Sequence, residues 1–191
     1  QDLKYKGEKA ITTIGNNTII REYATVHKGT ADRMRTDIGS NCMIMAYAHV
    51  AHDCIIGNNV ILANYVGLAG HVTIEDFVII EGYAAIQQFV VVGAHSFLAA
   101  GSKVRKNVPP YIRVAREPLQ YIGVNSVGLS RKNLKKDAYS IFHSCNYNKY
   151  ISLMPDFKKT EEYFIEREKK DSFLFQETMS EVLKQNRNIY N

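Results

Sequence analysis

The sequence predicts an all-β left-handed parallel β-helix followed by a small α-helical C-terminal domain, on three observations. The first is a period of six: aliphatic residues recur at Ile14, Ile20, Val26, Ile38, Ile44, Val50, Ile56, Leu62, Leu68, Ile74, Ile80, Ile86, Val92, Leu98 and Val104, with Asp32 the one gap. This is neither the 3.6 of a surface helix nor the 2 of a half-buried strand, so a repeat architecture is required. The second is a small or β-branched residue four places after each aliphatic one, as at Cys42, Ala48, Cys54, Val60, Val66, Val72, Val78, Ala84, Val90, Ser96 and Ser102. The third is a change of character late in the chain, where residues 130 to 191 are rich in Lys and Glu with apolar residues at helical spacing.

Each element follows from these patterns. Six residues make one short strand and a corner, and three such units close a triangular coil whose aliphatic residues point to the axis. Hexapeptide coils wind left-handed, against the usual crossover rule. About five coils fit between residues 14 and 104, above the minimum of about three repeats that a continuous core needs. Gly15, Gly39, Gly57 and Gly93, with Asn16-Asn17 and Asn58-Asn59, are expected to supply the left-handed backbone of the corners. Residues 31 to 37, Ala-Asp-Arg-Met-Arg-Thr-Asp, read as a polar loop bulging from one corner. Pro109-Pro110 is expected to end the strand pattern, since proline has no N–H for the ladder. Beyond it, Leu134, Ala138, Ile141, Phe142 and Cys145, then Phe164, Phe173, Phe175, Met179 and Leu183, predict helices broken near Pro155. The expected division is a β-helix domain over 1–118 and a helical domain over 119–191.

Composition bounds the function. The 191 residues carry a formal charge of +5, much of it in Lys103, Arg105, Lys106, Arg113, Arg116, Arg131, Lys132, Lys135 and Lys136. Such a cluster is either a solvated face or a landing place for an acidic protein or a phosphorylated ligand. No nucleic-acid module accompanies it. Cys42, Cys54 and Cys145 lack metal-site spacing, and the first two occupy repeat slots, as core thiols of a reducing compartment do. No apolar run reaches the length of a membrane span and no signal peptide is visible, so a cytoplasmic protein is expected. The chain opens on Gln1, already in repeat-like sequence, and earlier coils are expected upstream.

The repeat also places chemistry. Residues one coil apart stack at about 4.8 Å, which sets His52, Gly70 and Gln88 in one column, with His71 and Gln87 beside it. Imidazole, a glycine whose bare N–H can approach a ligand, and a carboxamide suit acyl transfer: the imidazole takes a hydroxyl proton and backbone N–H groups hold an oxyanion. Asp53 could orient and stabilise His52, but neighbours in a strand face opposite ways. The pair must therefore sit at a corner, or Asp53 must act through another contact. A zinc site is the competing use, with His49-x-x-His52 and His71 recruited across subunits for carbonic-anhydrase-like chemistry. An acetyl-CoA-dependent transferase and a non-catalytic scaffold share the coil.

Several segments resemble one family. Ala48-His-Val-Ala-His-Asp-Cys-Ile-Ile-Gly-Asn-Asn-Val-Ile-Leu-Ala-Asn64, continuing into Leu68-Ala-Gly-His-Val72, is similar to the core of the UDP-N-acetylglucosamine O-acyltransferases, the first enzymes of lipid A assembly. The opening Gln1 to Glu8, Val26-His-Lys-Gly-Thr30, Gln88-Phe89, Val92-Gly-Ala-His95, Val108-Pro-Pro-Tyr111, and Gly123-Val-Asn125 followed by Gly128-Leu129 resemble it too. The resemblance implies a homotrimer that transfers an (R)-3-hydroxyacyl chain from acyl carrier protein to the 3-hydroxyl of the glucosamine of UDP-GlcNAc, without metal or cofactor. It implies His52 as general base, Asp53 as its support and Gly70 N–H as oxyanion donor. Asp2, Lys4, His27, His49, His71, Gln87 and Gln88 match positions lining sugar, diphosphate and acyl groups, and Asn125 and Arg131 match positions near the nucleotide. Gln87 and Val127 depart from a well-known version of the motif, which has histidine and glutamate there, and leave the preferred aminosugar open. Ala100 matches the acyl-length ruler, and its small side chain implies a fairly long chain.

Overall fold

The computed structural model describes residues 2–3 and 5–132. The first coil supplies β1 (Ile11–Ile14), β2 (Ile19–Ile20) and β3 (Thr25–Val26), and the second β4 (Arg35–Ile38), β5 (Met43–Ile44) and β6 (His49–Val50). Then come β7 (Ile55–Ile56), β8 (Ile61–Leu62), β9 (Gly67–Leu68), β10 (Thr73–Ile74), β11 (Ile79–Ile80) and β12 (Ala85–Ile86). The last coils give β13 (Val91–Val92), β14 (Phe97–Leu98), β15 (Lys103–Val104), β16 (Ile112–Ala115) and β17 (Gln120–Val124), and α1 (Ser126–Arg131) follows.

Through β15 every third strand pairs in parallel, and with β16 and β17 added to one edge this gives three sheets: β1-β4-β7-β10-β13, β2-β5-β8-β11-β14-β16-β17 and β3-β6-β9-β12-β15. This is the predicted parallel β-helix. Register follows the aliphatic series, with Ile38, Ile56, Ile74 and Val92 in one row and Val26, Val50, Leu68, Ile86 and Val104 in another. From Ile38 onward these rows and the small-residue slot are buried together as one core. Ile14 and Ile20 are 47% and 40% exposed, because among the described residues no coil stacks on that end.

Three expectations are corrected. Positive φ falls, as expected, on Asn17 and Asn59, but not on Gly15, Gly39, Gly57 or Gly93; it is carried also by Asn41, Phe77, His95 and Tyr111 at the same corner, Tyr23, Tyr47, Tyr65 and Tyr83 at the second, and Asp53, His71 and Phe89 at the third. The glycines are required by close approach instead: a Cβ on Gly93 would run into the ring of Pro110. Stacked rings offset the left-handed backbone of such corners, as along Tyr23, Tyr47, Tyr65 and Tyr83, whose centroids are 4.8 to 5.1 Å apart.

The polar loop is shorter than expected, since Arg35, Thr36 and Asp37 already pair with β1. Ile14 pairs with Ile38 whereas Ile38 pairs with Ile56, so the interruption is one inserted hexad. Nor does Pro109-Pro110 end the strands. Val108 bridges Val92, β16 continues the sheet beside β14, and β17 returns antiparallel. The backbone resumes its bonds directly after the prolines, Tyr111 N–H donating to Ala94 O at 2.9 Å, while Ser96 Oγ donates to Pro109 O at 2.7 Å. The expected division between 118 and 119 falls in the turn of this hairpin. Helix α1 buries Leu129 in the core. The helices predicted after residue 132 lie outside the described residues.

Candidate active site

The third corner, between β6 and β7, carries the reactive groups. Asp53 takes φ 59°, and this left-handed turn brings two sequence neighbours to the same side of the chain, where an extended strand would separate them. His52 Nδ1 lies 2.9 Å from Asp53 Oδ2. The His52 side chain is 8% exposed and that of Asp53 is sealed. The corner geometry that the sequence required for this pair is met.

The inserted hexad supplies the surroundings. Thr30 Oγ1 donates to Asp53 Oδ2 at 2.5 Å and Thr30 N–H to Asp53 Oδ1 at 2.9 Å. Arg33 N–H reaches Oδ1 at 3.3 Å, and its guanidinium donates to the Asp53 carbonyl at 2.8 Å. Asp53 N–H donates to Thr36 Oγ1 at 2.8 Å. Burial pushes the Asp53 carboxyl up, but the hydroxyl and N–H of Thr30, together with His52 and His71, outweigh it and hold the group below the usual carboxylate range. It is therefore ionised near neutral pH.

One coil on, Gly70 lies beneath the imidazole. A Cβ there would stand 2.5 Å from both Cε1 and Nε2 of His52, so any side chain would displace the ring. His71 N–H donates to His52 O and Phe89 N–H to Gly70 O, which stacks His52, Gly70 and Gln88 in one column. The His71 ring meets His52 edge-on at 5.1 Å and stacks on Phe89 at 4.6 Å. Its Nε2 lies 3.5 Å from Asp32 Oδ2 and 3.9 Å from Asp53 Oδ2. Gln87 and Gln88 are exposed.

Other predicted residues distribute differently. His27 and His49 meet edge to face at 4.7 Å beside the same corner, and Thr25 Oγ1 holds His49 Nδ1 at 2.7 Å. Burial lowers the pKa of both, favouring neutral imidazoles at pH 7. Asp2 is half-buried, its carbonyl accepting the Tyr5 N–H, while Lys4 lies outside the described residues. Ala100 occupies the second corner, where its N–H donates to Glu81 Oε2 at 3.0 Å. Asn125 is committed to structure near the first corner: its amide donates to His95 O at 2.8 Å and its oxygen caps α1 at Gly128 N–H. Arg131 is exposed in the last turn of α1.

Sequence reasoning missed Thr30, Arg33 and Thr36 as partners of Asp53. The gap in the period at Asp32 was the available signal. Among the described residues, His52, Asp53 and His71 are the group able to hold a metal, their ligand atoms lying within 4.8 Å of one another. Both Asp53 oxygens already receive Thr30 donors, which favours a proton between Asp53 and His52 over a cation that must displace these bonds.

Residues 35–70 match the family model described as bacterial transferase hexapeptide (six repeats). The chain is 45% identical over 138 residues to the acyl-[acyl-carrier-protein]–UDP-N-acetylglucosamine O-acyltransferase of Pseudomonas aeruginosa, covering 72% of this chain and 54% of that protein. It thus spans about half the length of the curated relatives it matches. The solved UDP-N-acetylglucosamine acyltransferase of Bacteroides fragilis superposes with a TM-score of 0.70 at 32% identity, over 98% of this chain and 71% of that one. The corresponding structure from Acinetobacter baumannii gives a TM-score of 0.69 at 35% identity, over 97% and 71%. The chain belongs to the UDP-N-acetylglucosamine acyltransferase family. Family members share its coil, and the superposition spans the corner that holds His52 and Asp53. Among the described residues no helix is long and apolar enough to cross a membrane.

Proposed function

We propose that this chain transfers an (R)-3-hydroxyacyl group from acyl carrier protein to the 3-hydroxyl of the glucosamine of UDP-GlcNAc. The observation that carries the reading is the buried His52–Asp53 pair, 2.9 Å apart, set against Gly70. Asp53 accepts a hydrogen bond from Nδ1–H, which keeps that proton on Nδ1 and leaves Nε2 to take the sugar hydroxyl proton as the oxygen attacks the thioester carbon. The developing oxyanion is met by the N–H of Gly70. Collapse of the tetrahedral intermediate breaks the carbon–sulfur bond, and the imidazolium returns its proton to the carrier thiolate.

The substrate-lining roles of Asp2, Lys4, His27, His49, His71, Gln87, Gln88, Ala100, Asn125 and Arg131 belong to this reading. Ala100 and Asn125 occupy different corners from His52, so within one chain they do not converge on the imidazole. A cyclic homotrimer packed edge to edge brings unlike corners together, which supports sites between subunits. The exposed Lys103, Arg105 and Lys106 fit an acidic carrier. Left-handed winding, a helical unit following α1 and a cytoplasmic setting complete the reading, the last supported by the free buried thiols of Cys42 and Cys54.

The test is turnover of UDP-GlcNAc with (R)-3-hydroxyacyl carrier protein by the wild type and His52→Ala. Loss of a general base lowers kcat by about 10² to 10⁴, with the oligomer mass unchanged in light scattering. Retained turnover by the variant removes His52 from the chemistry.

A further inference from the structure

We propose that Thr30 is a positioning residue which, by filling the Asp53 carboxylate, keeps the His52 proton on Nδ1 and the Nε2 lone pair free. The inference rests on the acyl-transfer reading for its kinetic consequence, but its structural content stands apart from it. An ionised carboxylate only accepts, and offers about four lone-pair sites. Thr30 N–H and Arg33 N–H occupy Oδ1 at 2.9 and 3.3 Å, and Thr30 Oγ1 and His52 Nδ1 occupy Oδ2 at 2.5 and 2.9 Å. With every site taken the carboxylate cannot turn, and the remaining direction on Oδ2 belongs to the imidazole. Because Asp53 has no proton to give, the bond at 2.9 Å requires the hydrogen on Nδ1.

Thr30 is itself fixed. It is 4% exposed, its carbonyl accepts Met34 N–H at 2.7 Å, and Arg33 ties the same loop to the Asp53 carbonyl at 2.8 Å. Its branched Cβ restricts χ1, so the hydroxyl is held toward Asp53. Removing the hydroxyl leaves one Oδ2 site open and lets the carboxylate rotate away from Nδ1. The imidazole then samples the other tautomer, in which Nε2 carries hydrogen and cannot act as a base.

Thr30→Val and Thr30→Ser separate this role from packing. In Thr30→Val, kcat should fall about tenfold to a hundredfold, the scale of losing a partner that orients a reactive histidine, with KM for UDP-GlcNAc within about threefold. Thr30→Ser keeps a hydroxyl and should restore most of kcat even if the valine variant folds poorly. Nitrogen-15 spectra of histidine-labelled protein should show His52 as the Nδ1–H tautomer in the wild type and Thr30→Ser, and as a mixture in Thr30→Val. These spectra need no turnover, so an inactive wild type with the expected tautomer change would defeat the acyl-transfer reading and leave the positioning role intact. An unchanged tautomer in Thr30→Val, or loss of kcat to the same degree in the serine variant, overturns the positioning role.

Discussion

Gly70→Ala tests the geometry of the site with a single methyl group. The added Cβ would stand 2.5 Å from Cε1 and Nε2 of His52, whereas ordinary carbon contacts lie at about 3.5 to 4.0 Å. The imidazole must therefore retreat by roughly 1 Å, or the coil carrying residue 70 must shift by that much. A retreat of the ring disturbs the 2.9 Å bond to Asp53, and a misplacement of about 1 Å at a reacting group can cost about a hundredfold in rate. Overpacking at a buried position adds a stability loss of about 1 to 3 kcal/mol. The substitution removes no donor, so a fall in kcat with the ring displaced and the residue 70 backbone unmoved reports displacement of the base and not loss of an oxyanion donor. Single-turnover acyl transfer gives the rate, thermal unfolding gives the stability, and a crystal structure of the variant gives the ring position. A variant that turns over within about threefold of wild type with the imidazole unmoved would refute the close packing of Gly70 on His52.

Two further outcomes follow from the buried groups. The folded Asp53 carboxyl titrates below its unfolded range of about 3.9 because Thr30, His52 and His71 outweigh burial; its stabilisation is complete above that pH and is lost as pH falls through the folded value. The stability gap between wild type and Asp53→Asn in urea titrations should thus hold from pH 7 to about 5 and shrink below about 4, and a constant gap down to pH 2 would contradict an ionised Asp53. Burial pushes the Cys54 thiol up to about 11 and also raises Cys42. Alkylation at pH 8 mapped by mass spectrometry should leave both unmodified until the chain is unfolded, and rapid labelling of either in the folded protein would contradict its burial.

The fold was legible because every coil repeats one physical task. Ile56, Ile74 and Val92 fill the same axial slot, so a row of contacts in space becomes a period in sequence. The column at residues 52, 70 and 88 was readable for the same reason. Corners were less readable, since Asn59, Tyr65 and Asp53 all adopt the same left-handed backbone and the choice among them depends on what stacks next to each. The fold-back of residues 30–33 onto Asp53 obeys no period at all. The structural contacts of Asn125 were not legible either, since the cap it gives α1 and its bond to the His95 carbonyl join residues that no period relates.

The location of the chemistry follows from how a solenoid uses its hydrogen bonds. Along the third corner the backbone donors serve the neighbouring coil: His71 N–H goes to His52 O, Phe89 N–H to Gly70 O, and Asp53 N–H to Thr36 Oγ1. At other corners a regular coil spares single N–H groups for a carboxylate of an adjacent coil, as Ala100 N–H does for Glu81 and Asn58 N–H for Asp76, but a sealed carboxylate needs several donors, and burying one without them is costly. Donors must come from residues outside the ladder, and the inserted hexad provides Thr30 and Arg33. A seamless repeat could place a histidine at this corner but could not keep a sealed, ionised aspartate beside it. The break in the period at Asp32 and the His52–Asp53 pair are on this account one feature, and shortening the insert by a hexad should cost the pair its charge while leaving the coils stacked.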